Sequence, residues 1–438
     1  MQTYTEKEKQ IPVKADVDVL IVGAGPAGFA AAISAARCGA TTMLIEQTGA
    51  AGGIATVGLM SHWTGGTKGP LYEELIQKSN DFDAYDGAKV NGTWRYSINP
   101  EALKTVMLEM LQEAKVQLQF YTFASDAIVE EGTVKGIIIE SKSGREAILA
   151  RVVIDCSGDG DIAAKAGVPF QKGREEDGLM QPMTLMFKVG GVDLARAILP
   201  GSFETTAQVP NGEIQALGRG AIPHPAGHVL LYKSTLPGIV TCNMTNCIGV
   251  DGTKAEDLTK AELVCRSQMQ YIMKFLHENA PGFEDCFVIS AASLMGVRET
   301  RHFVGEYTLT AEDIEAARVF DDWVVTQAHF NFDIHSLSGP GLDEQGVQHH
   351  FTQPKGYTIP YGCFVPNRKA GIDGLLFAGR NISGTHKAHS NYRVMPICVN
   401  MGQAIGTAAA LCVSHNVRPL DLDVKALQKE LIRQGVTV

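Results

Sequence analysis

Residues 17–47 read VDVLIVGAGPAGFAAAISAARCGATTMLIEQ, and this stretch decides the fold. VDVLIV (17–22) is a short β-branched apolar run between charge and glycine, the pattern of a parallel strand buried on both faces. PAGFAAAISAARC (26–38) is a helix of small residues with Pro26 at its start and Gly39 as its stop. TTMLIE (41–46) is a second strand that ends in an acid. Together they form a βαβ opening.

Gly23-Ala-Gly25-Pro-Ala-Gly28 fills the turn between the first strand and the helix. Gly23 permits the tight turn, Gly25 lets a pyrophosphate approach the backbone, and Gly28 lets the helix pack on the strand. The helix N-terminus supplies amide hydrogens and a positive dipole end. Glu46, 18 residues after Gly28, is placed to bind ribose hydroxyls. An acid there suits NAD or FAD better than NADP. Eleven of the 46 glycines lie between Gly23 and Gly69, so backbone passes close to something along this whole stretch. The pair Gly52-Gly53 points to a cofactor larger than NAD. A later strand, 374–378, ends in Gly379-Arg380-Asn381. The helix after it is read with Met401-Gly402-Gln403-Ala404 at its opening, its dipole aimed at a flavin ring.

Outward from this core, residues 100–115 form an amphipathic helix, and 121–130, 133–141 and 145–150 form a meander with turns at Glu131-Gly132 and Ser143-Gly144. Residues 151–155 return as a separate strand. Residues 255–279 read as a helix, 396–414 as another built from small residues, and 419–434 as a short amphipathic one. The expected division is 1–168 and 359–438 for the two parts of a cofactor domain, with a substrate or cap domain at 169–358 between them.

The stretches VLIVGAGPAGFAAAISAA, VVIDCSGDGDIAAKAGVPF (152–170), LMQPMTLMFKVGGVD (179–193), GVRETRHFVGEYTLT (296–310) and LLFAGRNISGTHKAHSNYRVMPICVNMGQAIGTAAA (375–410) also carry a family resemblance. The chain resembles the FAD-dependent oxidoreductases related to heterodisulfide reductase flavoproteins and, more distantly, to fumarate reductase and glutathione reductase flavoproteins. The resemblance implies an α/β fold: a Rossmann-like FAD-binding domain of glutathione reductase type, with a β-meander and an inserted α+β substrate domain. It implies FAD contacts from Ala27, Glu46, Gln47, Gly53, Ile54, Ala124, Gly158, Gly379, Arg380, Gly402 and Gln403. Cys156-Ser157-Gly158 stands where relatives commonly have Ala-Thr-Gly. The iron–sulfur ligand set of the heterodisulfide reductase flavoproteins is missing, which argues against electron bifurcation. A second glycine pattern, Gly158-Asp-Gly160-Asp-Ile-Ala163, reads as a wall of the FAD pocket rather than a second nucleotide site.

For chemistry beside the flavin, Arg393 is read as a contact to flavin or to a substrate anion, against a structural ion pair. His386 and His389 are read as proton carriers, against ordinary loop histidines. Arg298 and Arg301 have the fork geometry that grips a carboxylate, with a buried ion-pair network as the alternative. His62 and Trp63 follow the glycine-rich loop and can face the flavin. His329, His335, His349 and His350 match no metal spacing, so no metal is expected. Cys242 and Cys247 have a redox spacing but lie far from the dinucleotide motif.

Composition sets the outer limits. Thirty-eight basic and 48 acidic residues give a net charge of −10, which excludes a phosphate-backbone partner. No run of about 18 apolar residues appears, so no membrane span is expected. Met1 to Lys14 is polar, and nine scattered cysteines fit a reducing cytoplasm. The reaction expected is hydride transfer between flavin N5 and a small polar hydroxy or carboxylate compound, sugar-derived ones included. Two alternatives stand: an electron-transfer subunit serving a redox protein partner, and a non-catalytic FAD- or NAD-binding protein.

Overall fold

A computed structural model of the chain describes residues 2–83, 96–344, 346 and 355–438. β1 (Val13–Val22), α1 (Pro26–Arg37) and β2 (Thr42–Ile45) form the expected opening. There follow α2 (Pro70–Phe82), α3 (Pro100–Glu113), a third strand β3 (Gln117–Gln119), and the meander β4 (Thr122–Glu130), β5 (Thr133–Ser141) and β6 (Gly144–Asp155). A short α4 (Asp161–Lys165) comes next. The sheet order is β3-β2-β1-β6-β5-β4. β6 is one long strand where the sequence suggests two pieces, because no turn residue interrupts it around Ala150 and Arg151. Its first half pairs antiparallel with β5 and its second half pairs parallel with β1.

The middle of the chain forms β7 (Phe170–Lys172), β8 (Phe187–Gly190), a two-residue pair β9 (Gln208–Val209) and β10 (Gly212–Glu213), and α5 (Ile214–Ala221). It continues with β11 (Leu231–Lys233), β12 (Val240–Cys242), α6 (Ala255–Asn279) and β13 (Phe287–Ala291). The second sheet runs β11-β12-β8-β13. α6 covers it with Ile272, Phe275 and Leu276, which join Phe187, Val189 and Val240 in a separate core. Then come β14 (Arg301–Phe303), α7 (Ala311–Glu315), β15 (Trp323–Ala328) and β16 (Tyr357–Pro360). Phe303, Leu309, Trp323, Tyr357 and Phe364 pack into the first core. The separate cores of the middle segment therefore end near Val297, well before residue 358.

The chain closes with β17 (Leu375–Phe377), α8 (His386–Tyr392), α9 (Met395–His415) and α10 (Val424–Arg433). β17 extends the parallel sheet by pairing with the end of β6. α9 starts at Met395, one residue before the expected span 396–414, so Met401-Gly402-Gln403-Ala404 lies in its second and third turns rather than at its opening. Among the described residues it is the one helix long and apolar enough to cross a membrane, yet 83% of its apolar window is buried inside the fold. It lies along α1 in the same direction. A Cβ at Gly402 would sit 2.0 Å from the Ala27 carbonyl, and one at Gly406 would sit 2.1 Å from that of Ala31. The two glycines thus let the helix backbones touch.

Backbone cannot yield as a flexible side chain can. Gly402→Val is expected to lower unfolding free energy by about 3 kcal/mol, measured by urea denaturation. Gly220→Ala in α5, where an added Cβ meets nothing within 4 Å, should be neutral or slightly stabilising.

Candidate functional site

The carboxyl ends of β1, β2, β6 and β17 border one crevice, the place where open parallel sheets bind ligands. Gly23 has φ +93°, and a Cβ there would lie 2.6 Å from the Cys156 carbonyl. A Cβ at Gly28 would meet the Gly23 carbonyl at 1.8 Å. Gly25 differs: its backbone is extended, and a Cβ would meet nothing within 4 Å. Across the gap a Cβ at Gly53, φ +50°, would approach the Gly25 Cα at 3.2 Å. Gly52 N donates to the Ala24 carbonyl at 2.7 Å and ties the two glycine turns together. The open cradle at Gly25, walled by Gly53 and by the α1 N-terminus, fits a pyrophosphate.

Glu46 is buried. Its Oε2 accepts from Ala24 N and its Oε1 from Thr48 N, both at 2.8 Å. Gln47 is exposed beside it. Thr122 N donates to the Glu46 carbonyl, which brings the start of β4, two residues before Ala124, to the same corner. Gly379, φ +110°, faces the Ala27 methyl. A Cβ at Gly158 would lie 2.8 Å from Arg380 Nη2, and Arg380 pairs with Asp159 at 2.9 Å. Asn381 is a structural link, since its Nδ2 donates to the Asp155 carbonyl at 3.2 Å. Gly402 belongs to the α1–α9 contact. Gln403 points away from the crevice, its Nε2 donating to Gln434 at 3.1 Å.

α8 and α9 bring the chemistry to this crevice. Thr385 caps α8, and Arg393 stands at its C-cap, two residues before α9 begins. Gly402 lies opposite Ala27, the second residue of α1, so the first two turns of α9 extend about 10 Å past the start of α1. The positive end of α9 therefore overhangs the crevice.

A buried polar chamber lies around Arg393. Its Nη2 donates to the Asp333 carbonyl at 2.9 Å and to Asp333 Oδ2 at 3.0 Å. Arg298 Nη1 donates to the Pro182 carbonyl at 2.6 Å and to Thr184 Oγ1 at 2.7 Å. His335 Nε2 lies 3.3 Å from Asp333 Oδ2. Burial, reinforced by Arg393, brings the Arg298 guanidinium down to about 10. Burial would raise Asp333, yet His335 and the two guanidiniums outweigh it and hold the carboxyl below its usual range. Burial, aided by Arg298, pushes His335 down to about 4, so this histidine is neutral. Two guanidiniums thus face one carboxylate. Among the described residues, the buried donors Arg393 Nε and Gln181 Nε2 have no hydrogen-bond partner.

Beside it stands a second cluster. His386 Nδ1 lies 2.7 Å and His302 Nε2 3.1 Å from Glu299 Oε1, while Gln181 N donates to Glu299 Oε2 at 3.0 Å. Burial would raise Glu299, but the adjoining His302 and His386 imidazoles hold it well below the usual carboxylate range. His389 is fully buried and stacks on His302 with ring centroids 4.6 Å apart. Burial keeps its imidazole neutral.

The structure thus gathers Arg298, Arg393, His386 and His389 but not Arg301. Arg301 pairs with Asp161 at 2.9 Å and lies over the Phe170 ring, which makes it the structural ion pair. His62 stacks on Tyr232, and Trp63 packs against Tyr72. His335 belongs to the chamber, His329 pairs through its backbone with Gly66, and His349 and His350 lie outside the described residues. Cys242 and Cys247 are buried free thiols. Glu299, Gln181 and Asp333 were not singled out from the sequence. Only the run Arg298 to His302 hinted at the first of them.

The sequence pattern of the family described as FAD dependent oxidoreductase matches residues 18–431. Among curated proteins, the tRNA uridine 5-carboxymethylaminomethyl modification enzyme MnmG of Wolinella succinogenes is 31% identical over 151 residues, 32% of this chain and 24% of that protein. Digeranylgeranylglycerophospholipid reductase 1 of Methanopyrus kandleri is 26% identical over 169 residues, 35% of this chain and 43% of that protein. The chain therefore spans less than half the length of these two relatives. Among solved structures, a geranylgeranyl bacteriochlorophyll reductase-like protein of Thermoplasma acidophilum superposes with a TM-score of 0.50 at 14% identity, covering 96% of this chain and 84% of that one. At that identity the likeness concerns the fold alone.

Two outcomes follow from this geometry. Gly25→Ile has room in the protein alone, so it should fold normally yet bind FAD at least about 100-fold more weakly, about 2.7 kcal/mol; flavin titration with circular dichroism checks both halves. Gly28→Ile, set against the Gly23 carbonyl, should instead fail to fold. The second outcome concerns acid. Burial pushes His228 down to about 3 and His335 to about 4, while both protonate near their ordinary value when unfolded. Stability should therefore be fully present above about pH 6.5 and fall by about 1.4 kcal/mol per pH unit for each of them as the pH drops toward 4. Urea titrations across that window should show the fall, and His335→Asn should make it shallower while leaving the part due to His228.

Proposed function

The chain belongs to the FAD dependent oxidoreductase family, and on that premise we propose that it moves a hydride between flavin N5 and a small polar substrate bearing a carboxylate. When bound, FAD supplies the hydride acceptor or donor. Gly23, Gly25, Gly28, Gly52, Gly53 and Glu46 would hold its pyrophosphate and ribose. Gly158, Gly379 and Arg380 close the crevice from the other strands.

The observation that carries the reading is the pair of buried guanidiniums with donors left unpartnered beside them. Arg298 and Arg393 stand with Asp333 and, beside it, Glu299, and two donors, Arg393 Nε and Gln181 Nε2, have no acceptor among the described residues. A substrate carboxylate supplies the missing acceptors, and a guanidinium grips it bidentately. His386 carries the proton. Glu299 holds its Nδ1, which leaves Nε2 for exchange with substrate. His389, fully buried, is withdrawn from that role. Nine free cysteines support a reducing compartment.

A second reading rests on a different observation. β13 is an edge strand, and Phe287 and Ile289 on it are 60% and 47% exposed. An apolar edge of this kind suits a protein electron partner. It predicts no reduction by small molecules without that partner.

Anaerobic titration of the yellow protein with hydroxy acids, dicarboxylates and sugar acids, each beside its neutral amide, separates the readings. Acids should bleach the flavin and amides should not. Arg298→Met should raise KM for the acid by at least about 100-fold, with a smaller effect on kcat. Equal bleaching by acid and amide would remove the carboxylate from the proposal.

A further inference from the structure

The second sheet has two unlike faces. Along β8, β11 and β12 the side chains of Phe187, Val189, Leu231, Val240 and Cys242 enter the core under α6. Side chains alternate across a strand, so Lys188, Tyr232 and Thr241 stand on the other face, with His228 and Asn243 just beyond the strand ends. This face meets the loop that follows Gly53. Ser61 Oγ lies 3.1 Å from Thr241 Oγ1, and the His62 ring stacks on Tyr232 at 5.0 Å. The same face borders the arginine chamber. The Phe203 ring touches His228 on one side and His335 on the other, with centroids 5.1 and 5.0 Å away. His335 in turn shares Asp333 with Arg393.

His228 is 2% exposed, and its Nε2 lies 3.0 Å from the Asn243 carbonyl, a pure acceptor, so this nitrogen carries the ring proton. Nδ1 is then a bare lone pair, and among the described residues it has no hydrogen-bond partner. Asn243 Nδ2 donates to the Tyr232 hydroxyl at 3.3 Å, and its Oδ1 is likewise unpartnered among those residues. Turning the amide over only exchanges which of its ends is left. A buried acceptor without a donor destabilises the fold, and a ligand that brings the donor recovers the loss. We propose that this polar sheet face is the second half of the substrate site, with His228 Nδ1 as the acceptor for a substrate hydroxyl, and that the chain therefore takes hydroxycarboxylates. With the acid set against Arg298 and Arg393, the reading on which this assignment rests, donors at one end and an acceptor at the other select one molecule that carries both groups. Burial, followed by nearby His335 and Arg298, pushes the His228 imidazole down to about 3. A place that keeps a proton off this lone pair also disfavours an ammonium there, so the donor is a neutral hydroxyl. His228 determines specificity by orienting that hydroxyl. It takes no proton, which stays the task of His386.

The test titrates the FAD-bound protein anaerobically and takes Kd from the change in the flavin spectrum. The probes are lactate, malate and gluconate against propionate, succinate and hexanoate, with alanine and aspartate as amino counterparts and lactamide against propionamide as neutral ones. At least one hydroxy acid should bind about 10-fold or more tightly than its deoxy and amino counterparts. His228→Leu should bring the paired affinities together, and His228→Gln, which keeps an acceptor, should retain part of the preference. Equal binding of hydroxy and deoxy acids by the wild type, or an undiminished preference in His228→Leu, overturns the assignment and leaves the carboxylate reading standing. Equal binding of acids and amides sinks the carboxylate reading instead, and the hydroxyl preference is then read from lactamide against propionamide. Absence of binding by every hydroxy acid overturns both. Should His228→Leu fail to fold, a crystal structure with the tightest hydroxy acid decides. A substrate hydroxyl within hydrogen-bond distance of His228 Nδ1 supports the assignment, and a hydroxyl placed elsewhere overturns it.

Discussion

The close approach of α1 and α9 is the constraint on which the rest depends. Both helices are rich in small residues, and Gly402 and Gly406 bring backbone against the carbonyls of Ala27 and Ala31. This contact fixes how far α9 reaches beyond the phosphate turn. It thereby sets the height of Arg393 and of α8, which the chain places immediately before α9. Two dipole ends, one from each helix, are delivered to one crevice without any charged side chain between the helices. The stability of the pair comes from apolar burial and dispersion along a long seam, so the charged groups nearby are spared a structural task.

The chamber next to this seam is costly in isolation. Burying Arg298 and Arg393 with Asp333 and Glu299 takes four charged groups into a region of low dielectric. Folding tolerates this because each guanidinium is also bonded to backbone oxygen, at Pro182 and at Asp333. Such an arrangement holds its shape before any ligand arrives, so little reorganisation is needed on binding.

The opening βαβ unit, the acid at Glu46 and α6 are legible in the sequence because they rest on local periodicity and turn chemistry. Gly402 shows where such reading errs: a glycine in a helix of small residues signals close approach, but to what is settled only by the partner helix. Arg298 and Arg301 look alike three residues apart. The chain turns between them, so one enters the chamber and the other faces Asp161. Asp333 and Gln181 carry no motif at all. Their roles come from contacts with residues 60 and 118 positions away, at Arg393 and Glu299, which no local pattern encodes.

Gln181 belongs to both buried clusters. Its backbone N–H serves Glu299, while its side-chain oxygen accepts from His335 N at 3.2 Å. The arginine chamber and the histidine cluster are therefore one thermodynamic unit with a shared hinge residue. Substitutions in one will not sum with substitutions in the other, and a double-mutant cycle across Gln181 measures a coupling energy rather than two independent contributions.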